Sequence, residues 1–71
     1  MNWENFRRRD GSLDLREALD ARLGSVSGLN TESVRRARNF LEDTEGMCRI
    51  SSRQAAAVAL AHALTLVRTL V

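Results

Sequence analysis

Apolar residues are densest in the last third of the chain. The stretch 51–71 reads SSRQAAAVALAHALTLVRTLV, and neither Gly nor Pro interrupts it. Alanine, its commonest residue, has the highest helix propensity. Ser51 with Gln54 three positions later has the pattern of an N-terminal capping box. We therefore predict one continuous core helix over 51–71, with about 19 helical residues and a length of roughly 28 Å.

The apolar residues of this predicted helix lie on two neighbouring faces. One contains Leu60 and Leu64, and the other contains Leu66 and Leu70. A helix that is apolar on so much of its surface has to be covered on several sides, and a domain of this size buries only about 60% of its unfolded surface. We expect a second copy of the chain to provide cover, which gives a homodimer or higher oligomer. The residues predicted at this interface are Leu60, Leu64, Leu66, Val67 and Leu70.

Two further helices are predicted upstream. Asp14 with Glu17 forms a second capping-box pattern, and a stripe of apolar residues continues to about Leu23. Asn30 or Thr31 caps the next helix, which ends near Gly46. Its expected inward-facing residues are Val34, Ala37, Phe40, Leu41 and Thr44.

The predicted fold class is therefore all-α, with a small bundle of three main helices in a single domain over 1–71. Residues 1–11 form an N-terminal arm, in which Asn2 caps a short helical segment. Trp3 and Phe6 share one face of this segment, and we expect both rings to lie against the core. Residues 14–46 form the helix pair described above, and 51–71 form the core and dimerisation helix.

The stretch 51–71 is also close to the ~20 residues that a membrane span needs. His62, Thr65 and Arg68 fall inside it, and no cluster of basic or aromatic residues flanks both ends. Residues 1–10 lack the apolar segment of a signal peptide. We expect no membrane insertion and a cytoplasmic location, which agrees with a single cysteine, Cys48, that allows no internal disulfide.

All 11 basic residues are arginines, and the net charge is +2. So small a charge does not by itself indicate a nucleic-acid partner. Arg7, Arg8 and Arg9, here called the arginine run, are the densest basic segment. They are suited either to contacts with DNA phosphates or to ion pairs with acids elsewhere in the chain.

Acidic residues cluster near the predicted end of the second helix, at Glu42, Asp43 and Glu45. A helix C-terminus already carries partial negative charge. We therefore expect a positive group close by, and the candidates are Arg49, Arg53 and the arginine run.

The positions of the histidine and the cysteine do not favour catalysis. His62 lies among alanines and leucines, where a lone His is more often a packed or interface residue than a base. Cys48 has Arg49 beside it, but no orienting third group is identifiable. One Cys and one His cannot form an all-Cys/His structural zinc site in a single chain. We expect no enzymatic activity, no cofactor and no metal.

The segment 17–47 resembles the helix-turn-helix half of bacterial winged-helix repressors of the GntR type. It reads EALDARLG over 17–24, then SVS, and then GLNTESVRRARNFLEDTEGM over 28–47. In that family a supporting helix ends in Leu-Gly. The recognition helix carries a small hydroxyl residue, Val, Arg and a later Leu-Glu before a Gly. The matching residues are Ser33, Val34, Arg35, Leu41, Glu42 and Gly46.

The resemblance covers under half the chain and has two departures. Residues 25–28 lengthen a turn that is usually tight, and the long alanine-rich segment stands where the family has a β-hairpin wing. The resemblance implies a small transcriptional regulator that binds double-stranded DNA and dimerises through its C-terminal helix. Arg bonds guanine bidentately and Asn bonds adenine. The side chains expected in the major groove are Thr31, Ser33, Arg35, Arg36 and Asn39, with Arg7, Arg8 and Arg9 on phosphates.

The alternative is a non-enzymatic helical protein-interaction module, either an adaptor or a regulator that sequesters a partner protein. In this interpretation the second helix is a solvated surface with pairs of opposite charge at i and i+4. The side chains expected to contact the partner are Trp3, Phe6, Leu29, and Leu66 or Leu70.

Overall fold

A computed structural model describes residues 1–69 of the chain. A short 3₁₀ helix, Trp3–Phe6, precedes three α-helices: α1 at Leu15–Leu23, α2 at Thr31–Met47 and α3 at Arg53–Leu66. Over these 69 residues the backbone forms two isolated antiparallel bridges, Arg7 with Leu13 and Leu29 with Thr69, and no longer strand. The predicted all-α fold class is confirmed, as are its three main helices and its short N-terminal helical segment.

Polar side chains cap α1 and α2 where the sequence predicts. The Asp14 carboxylate accepts from the Glu17 N–H at 3.1 Å, and the Asn30 side chain accepts from the Glu32 N–H at 2.9 Å. Each cap satisfies an N–H group that the first helical turn leaves without a partner. The Asp14 N–H donates to the Phe6 carbonyl at 2.8 Å. This bond takes the place of the reciprocal half of the predicted capping box.

The C-terminal helix starts later than predicted. The N-cap of α3 is Ser52, whose hydroxyl accepts from the Ala55 N–H at 3.3 Å. The Ser51 carbonyl instead accepts from the Arg7 guanidinium at 3.1 Å. Ser51 therefore belongs to the connector between α2 and α3 rather than to a capping box with Gln54.

The same helix also ends earlier than predicted, after 14 residues at Leu66. Val67 adopts extended backbone angles, and the Arg68 carbonyl accepts from the Asn30 N–H at 2.8 Å. This tertiary pairing overrides the local helix propensity of 67–69. Positions 70 and 71, which were part of the predicted helix, lie outside the described residues. No helix within residues 1–69 is long and apolar enough to cross a membrane.

The core is built from all four helical elements. Its largest fully buried side chains are Leu13, Leu15, Leu19 and Leu41. α3 contributes mainly small side chains, at Ala56, Ala59 and Ala63, together with Leu60. α2 and α3 run antiparallel, because a short connector joins Met47 to Arg53 and the Asn30–Arg68 hydrogen bond joins their other ends.

Candidate interaction surfaces

The outer surface of α2 carries most of the side chains predicted to contact DNA. Thr31, Arg35, Arg36 and Asn39 are exposed there. Ser33 differs, because it is only 8% exposed. It lies on the side of α2 that carries Ala37 and Leu41 into the core, so its side chain is not presented to a DNA groove.

Two of the exposed arginines of α2, Arg35 and Arg36, share one acidic partner. The Glu32 carboxylate forms an ion pair with Arg35 and contacts Arg36 at 3.8 Å. These pairs are exposed and contribute little to stability, but they lower the positive potential that the two arginines present to solvent.

Ion pairs also bridge α1 and α2. The Arg38 guanidinium contacts the Asp20 carboxylate at 2.8 Å, and Arg16 contacts Glu42 at 3.6 Å. An open groove of about 590 Å³ lies between the helices, and its lining includes three arginines and four acids. A surface that binds DNA phosphates needs an excess of positive charge, and this groove has none. The charged lining residues are Asp14, Arg16, Glu17, Asp20, Arg35, Arg38 and Glu42.

The connection between α1 and α2 spans 24–30, which is seven residues. A helix-turn-helix motif usually joins its helices with three or four residues. Gly28 has φ of +74° in this connection, a left-handed conformation that glycine adopts easily. The connection therefore departs from the tight turn of that motif.

The arginine run is mostly bound to the rest of the chain. Arg8 contacts the Glu45 carboxylate at 2.8 Å and the Asp14 carboxylate at 3.4 Å. The hydrogen bond to Glu45 is the largest cause that raises the pKa of the Arg8 guanidinium above its ordinary value. Arg8 thus supplies the positive group expected near the acids at the end of α2. It is not available as an exposed phosphate contact.

The neighbours of Arg8 differ from each other. Arg7 donates to the Glu4 carboxylate at 2.8 Å and to the Gly11 carbonyl at 2.6 Å. The Arg7 bond is the main cause that lowers the pKa of Glu4 below its ordinary value. Arg9 is exposed and forms no ion pair with any other residue in 1–69.

A second surface lies where α2 and α3 pack side by side. The Phe40 and His62 rings meet there with centroids 4.5 Å apart. Val58 and Leu66 lie one helical turn to either side of His62 on α3, and Met47 lies two turns beyond Phe40 on α2. Met47 is 88% exposed, Val58 67% and Leu66 36%. We call these five residues, Phe40, Met47, Val58, His62 and Leu66, the α2–α3 face.

The predicted oligomer interface is corrected at one position. Leu60 is only 4% exposed in the single chain because it lies on the side of α3 that packs into the core. Leu64 and Val67 are half-buried against the same core. Leu66 is exposed as an interface residue has to be, and Leu70 lies outside the described residues. The spacing of Val58, His62 and Leu66 at i, i+4 and i+8 is the sequence signal that indicates the α3 part of the α2–α3 face.

The aromatic residues expected to contact a partner protein are also placed by the structure. Trp3 is 9% exposed, and its ring meets Phe6 edge-on with centroids 6.3 Å apart. Phe6 is half-buried against the core, and the backbone of Leu29 is bridged to Thr69. Trp3 is therefore a core residue and Phe6 packs against the core, which confirms the expected position of both rings.

Cys48 is a free and exposed thiol. Within residues 1–69 no group of three His, Cys, Asp or Glu side chains is placed to hold a metal ion. Comparison of the chain with protein-family models gives no match, and comparisons with curated proteins and with solved structures likewise give none.

Proposed function

We propose that the protein is a non-enzymatic helical interaction module that binds another protein through the α2–α3 face. The observation that carries this proposal is the exposure of Met47 and Val58, at 88% and 67%, on the two helices that the half-buried Phe40 joins through its contact with His62. Large apolar side chains exposed together on one surface are typical of protein-interaction sites. Methionine is common on such surfaces because its flexible side chain adapts to a partner.

The biological activity proposed is that of an adaptor, or of a regulator that sequesters its partner. No step of this activity needs a cofactor or a catalytic group. The exposed thiol of Cys48 is compatible with the reducing cytoplasm, which is the location we propose.

DNA binding is the second candidate, in the form of the helix-turn-helix regulator that segment 17–47 resembles. The exposure of Arg35, Arg36 and Asn39 on α2 favours it. The ion pairs of Glu32 with both arginines and the balanced charge of the α1–α2 groove favour a protein partner instead. This charge arrangement is the reason that we rank the interaction module first.

Site-specific photo-crosslinking in the source cells tests the proposal. A photoreactive phenylalanine analogue at Met47 is expected to capture a protein of discrete mass, and the same analogue at Glu17, on α1, is not. With the analogue at position 47, Val58→Glu is expected to reduce capture at least about tenfold, the equivalent of 1.4 kcal/mol. The matched control is Ala61→Glu, which adds the same charge to an exposed position of α3 outside the α2–α3 face.

Equal capture from positions 47 and 17, or no capture from either, would contradict the proposal. A DNA titration provides the competing test, with fluorescent mixed-sequence duplex at low and near-physiological salt. Affinity that falls steeply with salt and is lost in the variant Arg35→Ala/Arg36→Ala would overturn the interaction module in favour of DNA binding. Circular dichroism of this variant should be unchanged, because both side chains are exposed.

A further inference from the structure

We infer that the partner of the α2–α3 face is a second copy of this chain, with the two α2 helices antiparallel about a two-fold axis. The inference rests on the proposed function, because it names the occupant of the same face. Three observations on the single chain carry it. They are a pair of exposed opposite charges on α2 that do not pair with each other, the position of Phe40 between them, and the apolar residues of α3.

Arg36 and Asp43 are exposed on α2 and lie on either side of Phe40 in sequence. Seven residues of helix are close to two full turns, so the two charges lie on the same side of α2, about 10 Å apart. Arg36 makes only a long contact of 3.8 Å to Glu32, with 74% of its own side chain exposed. Asp43 forms no ion pair within residues 1–69.

This arrangement is self-complementary for an antiparallel pair of helices. A two-fold interface requires that if residue i contacts residue j of the other copy, then j contacts i. With the axis near position 40, Arg36 of each copy meets Asp43 of the other, and two ion pairs form. A parallel arrangement would place Arg36 against Arg36 and Asp43 against Asp43. Repulsion between these like charges decides in favour of the antiparallel one.

The apolar residues of the face complete the interface. Phe40 lies next to the axis, so the two Phe40 rings approach each other, and each stays in contact with its own His62. Val58 and Leu66 lie on the same side of α3 and are covered by the opposite copy. α2 has 17 residues and is about 25 Å long, so the contact is at the small end of specific interfaces. We therefore expect a dimer of roughly micromolar affinity.

The experiment is a charge exchange followed by sedimentation equilibrium over about 1–200 µM protein. The wild-type chain should approach twice its 7.9 kDa mass as the concentration rises. Arg36→Asp and Asp43→Arg each place like charges opposite one another, and each should raise the dimer Kd at least about tenfold. The variant carrying both changes should return to within about threefold of wild type, because the pairs form again with their signs reversed. Glu17→Arg, the matched control for Asp43→Arg in charge and exposure, should leave the Kd unchanged.

Two results would overturn the inference while leaving the proposed function standing. One is a wild-type chain that stays monomeric at 200 µM while position 47 crosslinks to a protein of different mass. The other is a dimer that both single variants weaken but the double variant does not restore. A monomer with no crosslinked partner at position 47 would overturn both proposals. Circular dichroism of each variant checks that it is folded. If Glu17→Arg raises the dimer Kd as much as Asp43→Arg does, the inference is also contradicted, because the dimer then responds to net charge alone.

Discussion

Glu45 joins three parts of the chain through one carboxylate. One of its oxygens accepts from the N–H of Leu15, the first residue of α1, at 2.8 Å. The other accepts from the Arg8 guanidinium, also at 2.8 Å. The Glu45 side chain is only 10% exposed. It therefore places a negative charge at the N-terminus of α1, where the helix dipole favours it, and it ties the N-terminal arm to α2.

We predict that Glu45→Ala is among the most destabilising substitutions of a charged residue in this chain. A hydrogen bond to a charged group contributes about 1.5–3 kcal/mol. Removal of the Glu45 carboxylate also leaves Arg8 with only one ion pair within residues 1–69, the weaker 3.4 Å contact to Asp14. We expect a loss of about 2–3 kcal/mol, which is roughly half of the ~3–5 kcal/mol that the core of so small a domain provides. Glu45→Gln keeps an acceptor for the Leu15 N–H, and we expect it to cost about 1 kcal/mol.

Urea unfolding at fixed protein concentration measures these changes, with circular dichroism for the helices and Trp3 fluorescence for the N-terminal segment. Fixed concentration matters because any dimer would add to the apparent stability. Glu42→Ala is the control, since that acid has the same charge but a side chain 63% exposed. A double-mutant cycle with Arg8→Ala isolates the pair and should give a coupling energy of about 1 kcal/mol or more. A Glu45→Ala variant that loses no more free energy of unfolding than Glu42→Ala would contradict this role of the Glu45 carboxylate.

Four further substitutions test other parts of the fold. Leu41→Ala empties a fully buried position at a cost of about 2–5 kcal/mol, so circular dichroism at 25 °C should show a largely unfolded chain; a cooperative, wild-type melting curve would contradict this. Gly11→Ala should lower the urea midpoint because φ there is +89°, whereas Gly46→Ala, inside α2, should raise stability by about 0.5–1 kcal/mol. Hydrogen bonds from the Ser12 side chain and backbone lower the pKa of the Asp10 carboxyl. The ionised carboxylate therefore stabilises the fold at any pH above the pKa that Asp10 has in the unfolded chain, and this stabilisation is lost as pH falls through the lower pKa of the folded state. Urea midpoints measured from pH 6 to pH 2 should fall less steeply in Asp10→Asn than in wild type.

Local signals predicted α1 and α2 well because the information lies within a few residues. Asp14 and Asn30 cap the helices they precede, and the apolar stripe that follows each cap faces the core. The end of α3 was predicted wrongly for the opposite reason. The Asn30–Arg68 hydrogen bond joins residues far apart in sequence, and the composition of 67–71 gives no sign of it.

The ion pairs also show that sequence predicts local features well and contacts between distant residues poorly. The acids at the end of α2 indicated that a positive group lies nearby, since the helix dipole makes their position unfavourable without one. The choice of Arg8 over Arg49 or Arg53 depends on how the N-terminal arm folds back across 37 residues of sequence. Arg49 instead pairs with Asp10 at 2.8 Å. Sequence alone therefore identified the need for a partner but not which arginine meets it.

The composition of α3 explains why Leu60, which is predicted at an interface, lies in the core instead. The core positions Ala56, Ala59 and Ala63 carry small side chains that let α3 approach the rest of the fold closely, and this approach buries Leu60. Val58 is left 67% exposed, although valine has a lower helix propensity than alanine and gains little from burial in the single chain. Its apolar surface stabilises the protein only when another molecule covers it. The proposed contact surface therefore includes the larger side chains on the outside of α3, whereas the alanines on the inside, together with Leu60, belong to the core.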